Sequence, residues 1–160
     1  MKKEIIKKII YGIFVIIWMA TVFNFSSEQS TKSTSTSETV IRAGLSKNEN
    51  FKKLNESEQK TIIEKYQHPI RKLAHFTLYA IGGLLIFNFL NTFNTCTRNK
   101  MLIAIIIGLS YAISDEIHQL FTDGRSAQIT DVLIDTAGAT LGCTIMYTIK
   151  KIISKVYAKA

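Results

Sequence analysis

Four long apolar runs constrain this chain more than any other feature: 5–25, 73–90, 101–121 and 129–149 hold most of its hydrophobic residues, with polar segments between them. A helix rises ~1.5 Å per residue, so about 20 residues cross the ~30 Å hydrocarbon core of a bilayer. Each run is near that length. The expected architecture is therefore all-α, a polytopic four-transmembrane-helix bundle forming one domain over 1–160. The polar segment 26–70, after the first span, forms an extracytoplasmic loop. A cleaved signal peptide is the rival reading of the first run, because Lys2, Lys3, Lys7 and Lys8 precede it. The run exceeds a normal h-region, and no small-x-small cleavage site follows it, so the span is preferred.

The formal net charge of +8 raises the question of a nucleic-acid partner. Four spans divide the charge unevenly: the termini and the second connection carry ten basic residues and one acid, or +9, and the remainder carries ten basic residues and eleven acids, or −1. Lys and Arg favour cytoplasmic loops. Both termini are placed in the cytoplasm, and the basic excess becomes an orientation signal instead of a nucleic-acid surface. Cys96 and Cys143 show neither metal nor redox spacing; a metal site using His75, His118, Asp115 and Glu116 stays open as an alternative, but no H-E-x-x-H pattern supports it and none is assigned.

The segment 26–70 opens with a Ser/Thr-rich stretch, 26–37, whose composition favours turns and caps over a packed core. Leu54, Ile62, Ile63 and Tyr66 then recur at helix-like spacing, and Asn55-Glu56-Ser57-Glu58 has the form of a helix start. One or two amphipathic surface helices are expected there. Pro69 is expected to set the entry to the second span.

Ionisable residues at membrane depth are costly, by ~2.5 to 3.5 kcal/mol each on insertion scales, so they face a bundle interior or water. In the second span Arg71, His75 and Tyr79 recur at i, i+4 and i+8, with Lys72 beside them. The competing explanation is a basic interface anchor with a tyrosine in the aromatic belt. In the third span Asp115, His118 and Gln119 share a face, with Glu116 turned about 100° away. Thr122-Asp123-Gly124-Arg125-Ser126 reads as a tight turn that brings Arg125 within reach of Asp115, Glu116 or Asp131. In the fourth span Asp131 and Asp135 lie at i and i+4 and would repel unless they meet Arg125, Arg71, Lys72, a cation or a proton. Helix-start capping accounts for Asp131 better than for Asp135. With the orientation above, all of these residues fall in the outer part of the bundle.

Arg71-Lys72-Leu73-Ala74-His75-Phe76-Thr77-Leu78-Tyr79 resembles the R-K-x-x-H-F-x-x-Y segment of VanZ-like membrane proteins. Asp115-Glu116-Ile117-His118-Gln119, Gly124-Arg125, and Asp131 to Asp135 with Gly138 and Gly142 are similar to that family's D-E-x-x-Q, G-R and D-V-x-x-(N/D)-x-x-G series. The serine-rich exit 26–30 is similar as well. The resemblance implies a small multi-span protein of the bacterial envelope, in a family that includes a determinant of low-level teicoplanin resistance. It implies no particular reaction. His75, Tyr79, Asp115, Glu116, Gln119, Arg125 and Asp131 match motif positions, and Asp135 stands where the pattern takes Asn or Asp.

The leading functional expectation is a membrane protein whose outer polar pocket binds a lipid head group or cell-wall precursor and lowers the access of glycopeptide or lipopeptide antibiotics. Its partners are membrane lipids and, beyond them, a cell-wall precursor or glycopeptide. The alternative is an enzyme acting on an envelope lipid, with Asp115 or Glu116 as base, His75 or His118 as acid, and Arg71 and Arg125 clamping phosphate. An ion-coupled transporter ranks third, because transporter sites concentrate at the midplane.

Overall fold

A computed structural model describes residues 2–28, 30–123 and 126–158. The described residues form six helices and no strand: α1 (Lys2–Ser26), α2 (Ser30–Leu45), α3 (Glu49–Lys52), α4 (Glu56–Leu90), α5 (Thr97–Gln119) and α6 (Ile129–Tyr157). The helices α1, α4, α5 and α6 are long and apolar enough to cross a membrane, and most of each apolar window faces outward. Ile9, Ile16, Ile106, Ile117 and Leu133 are exposed. Such surfaces are unstable in water and suit lipid tails.

The centre of the bundle is α4 against α6, and glycines set the distance between them. A Cβ on Gly83 would overlap the carbonyl oxygen of Ala139; on Gly138 it would meet that of Phe76, and on Gly142 that of Ala80. Small residues at this seam let two backbones touch, the usual basis of helix association in lipid. Cys143 adds a hydrogen bond from Sγ to the Gly83 carbonyl at 3.3 Å. The helix α1 enters this core through Trp18 and Val22, which pack with Tyr79, Ile86, Phe87, Ala104 and Ala112. The Trp18 ring meets Tyr79 edge-on at 5.7 Å and lies 5.1 Å from Tyr111.

The segment 26–70 differs from its sequence reading in two ways. The Ser/Thr-rich stretch does not stay a string of turns, because α2 starts inside it. Ser33 and Ser37 turn inward with Ile41, and Ser37 Oγ donates to the Ser33 carbonyl at 2.9 Å, which satisfies the hydroxyl inside the helix. Ile41, Phe51 and Ile63 then form a small core of their own, flanked by Leu45, Leu54 and Ile70. Nor does Pro69 begin a span. It lies inside α4, which runs unbroken from Glu56. Proline lacks the N–H that the carbonyl four residues earlier would accept. The loss is outweighed because α4 is anchored on both sides of Pro69, by the Ile63 core before it and by α6 after it. The helix start at Asn55 is as expected: its side chain accepts from Glu58 N at 2.9 Å, and Glu58 Oε2 accepts from Asn55 N at 3.0 Å, a complete capping box.

Candidate functional site

At the end of the bundle where α5 passes into α6, the ionisable residues of three helices enclose a polar cavity of about 100 Å³. The helix α4 contributes Arg71, Lys72 and His75; α5 contributes Glu116 and Gln119; and α6 contributes Asp131, Ile134 and Asp135. Ser126 and Gln128, from the connection, complete the lining. No spacing pattern in the sequence points to these last two or to Ile134.

Helical spacing places these groups on the right faces, and the packing chooses their partners. Lys72 Nζ pairs with Asp131 Oδ1 across the α4–α6 seam. His75 Nδ1 lies 3.7 Å from Asp135 Oδ2 one turn deeper. The two aspartates thus divide between two basic residues of α4. Asp131 lies in the first turn of α6 but is not its cap, since Gln128 occupies that position. Glu116 accepts a 2.7 Å hydrogen bond from the backbone N–H of Gln128, which ties the connection to α5. Gln119 Nε2 donates to Asp115 Oδ2 at 3.2 Å and lies 3.5 Å from Ser26 Oγ of α1.

Asp115, Glu116 and Gln119 are all buried, because α5 packs against α6, α4 and α1. Two expected residues stand differently. His118 leaves the site instead, with Nε2 3.0 Å from Ser27 Oγ and its ring stacked on Phe23 at 4.4 Å. It is not among the residues that line the cavity. Tyr79 is fully buried beneath the cavity and does not line it, and its hydroxyl has no hydrogen-bond partner among the described residues. Gly124 and Arg125 lie outside the described residues.

A second, larger space adjoins the polar one. A mostly apolar groove of about 490 Å³ runs between the end of α1, α2 and α4, along Phe25, Val40, Ile70, Leu73 and Leu78. Arg71 and His75 line both spaces. Arg71 is half-buried and has no ion-pair partner among the described residues. At the floor, His75, Asp115 and Asp135 each bring one ligand-capable atom within 4.8 Å of the others.

Four apolar helices around a charge-lined cavity define a multi-pass membrane protein with a buried hydrophilic site. The chain belongs to the VanZ/LLP1 family, whose model matches residues 11–151 and so takes in every residue of the cavity. No curated protein and no solved structure matches it.

Proposed function

We propose that this protein binds a phosphate-bearing lipid or lipid-linked cell-wall precursor in the outer leaflet, with the head group in the polar cavity and the chain in the adjoining groove. The observation that carries the reading is Arg71, a half-buried cation without an ion-pair partner among the described residues, placed where a hydrophilic cavity meets an apolar groove. A planar guanidinium suits a phosphate, and charge-assisted hydrogen bonds are stronger than neutral ones. An amphiphile would match both spaces. Occupancy of such lipids on the outer face would reduce the access of glycopeptide or lipopeptide antibiotics to their targets.

Native mass spectrometry of protein released from membranes tests the binding. Wild type is expected to retain a phosphate-bearing lipid, and Arg71→Gln to lose it about tenfold or more, as for a charged hydrogen bond of ~1.5 to 3 kcal/mol. Equal retention by both would refute it. For the resistance role, labelled teicoplanin is measured on cells carrying no protein, wild type or Glu116→Gln; equal binding in all three removes that role.

The approach of His75 to Asp135 supports a second reading, an enzyme acting on the same lipid. A carboxylate beside one ring nitrogen orients an imidazole for proton transfer. Envelope-lipid profiles that are unchanged on deletion and on overexpression would exclude it.

A further inference from the structure

We infer that His75, Asp115 and Asp135 form a binding site for a divalent transition-metal cation at the floor of the cavity. One donor comes from each of α4, α5 and α6, and the three ligand-capable atoms already lie within 4.8 Å of one another. Their sequence separation explains why no spacing motif announces the site. The independent observation is Asp135. It is 1% exposed, and among the described residues neither of its carboxylate oxygens has a hydrogen-bond partner, with His75 Nδ1 3.7 Å from Oδ2. Asp115 is 4% exposed and receives one hydrogen bond, from Gln119.

Two carboxylates so deep in an apolar bundle need a counter-charge or a proton. Among the described residues Lys72 is committed to Asp131, Arg71 lines the cavity without an ion pair, and His75, 3.7 Å from Asp135, can balance only one carboxylate and only when protonated. A divalent cation balances both carboxylates and uses the open lone pairs of Asp135. One imidazole nitrogen with carboxylate oxygens is a borderline donor set suited to Zn²⁺ or Mn²⁺, at ~2.0 to 2.2 Å from each ligand. Coordination at that distance requires small side-chain rotations from the present separation of up to 4.8 Å. Gln119, held near Ser26 of α1, orients Asp115 from behind as an outer-shell partner. His75 and Asp135 also line the cavity, so the remaining coordination positions open to water or to a phosphate oxygen. The site stands independently of lipid binding, because its ligands are all protein groups.

The test uses detergent-purified full-length protein stripped with chelator, incubated with Zn²⁺ or Mn²⁺ alone, desalted and assayed for metal. Wild type is expected to retain one of the two ions stoichiometrically and to melt at a higher temperature with it. The double variant Asp115→Asn/Asp135→Asn is expected to lose both the ion and the thermal shift. It removes both buried charges at almost constant shape, so it folds without an ion. Asp123→Asn, an exposed acid, keeps both properties. Absence of bound metal in wild type overturns the proposal, as does equal retention by the double variant. Because no phospholipid is added, failure here is distinct from failure of lipid retention.

Discussion

The indole Nε1 of Trp18 donates a 2.8 Å hydrogen bond to the carbonyl of Leu78, joining the middle of α1 to α4. The ring takes the space that a side chain at position 82 would fill, and Gly82 leaves that space open. One tryptophan therefore docks the first span and satisfies its own N–H in a medium that supplies no water. Trp18→Ala is expected to destabilise the bundle by ~3 to 5 kcal/mol, the usual cost of emptying a large aromatic site. Gly82→Leu excludes the indole and costs ~1 to 3 kcal/mol or more by overpacking. Thermal melts in detergent measure both; unchanged melting of Trp18→Ala would show that α1 is not docked this way.

The seam between α4 and α6 makes a sharper prediction, because the obstacle there is backbone. Gly142→Ala sets a methyl against the Ala80 carbonyl, which cannot rotate aside. A loss of ~1 to 3 kcal/mol is expected. Gly44→Ala is the matched control: it lies in α2 with nothing within 4 Å of its would-be Cβ. It should be neutral or stabilising by up to ~1 kcal/mol, since alanine favours helix over glycine. Equal melting of the two variants would contradict the close α4–α6 approach.

Lys72 and Asp131 are each about one-quarter exposed, so their attraction is only partly screened. Lys72→Met leaves Asp131 without its partner, whereas Lys72→Met/Asp131→Leu removes both charges. A double-mutant cycle on stability is expected to give a coupling of ~0.5 to 3 kcal/mol, with the double variant more stable than Lys72→Met alone. Zero coupling would show that the pair contributes nothing.

His118 is held by Ser27 and Phe23 outside the cavity. His118→Ala is expected to leave lipid retention at the wild-type level while His75→Ala lowers it. A loss of retention with His118→Ala would place His118 in the binding site and refute this arrangement.

Membrane orientation is tested with a membrane-impermeant maleimide on intact cells. Cys96, exposed between α4 and α5, should be protected, and Ser46→Cys, exposed between α2 and α3, should react. The reverse pattern would invert the topology read from the Lys and Arg distribution.

Hydropathy and helical periodicity are local, so the four spans, the helix start at Asn55 and the placing of Arg71, His75, Asp115, Glu116, Gln119, Asp131 and Asp135 toward the same ends of their helices are legible in the sequence itself. Partnerships are not local. That Lys72 meets Asp131 and His75 meets Asp135, 59 and 60 residues away, depends on how near Gly83, Gly138 and Gly142 let two helices come. The same holds for His118, which periodicity groups with Asp115 but which packs on α1, and for Pro69, which local rules place at a helix boundary but which packing on both sides keeps inside α4. Tertiary structure decided these because burying a charge in an apolar bundle rewards whichever partner the backbones bring within reach, and that reach is a property of the packed helices.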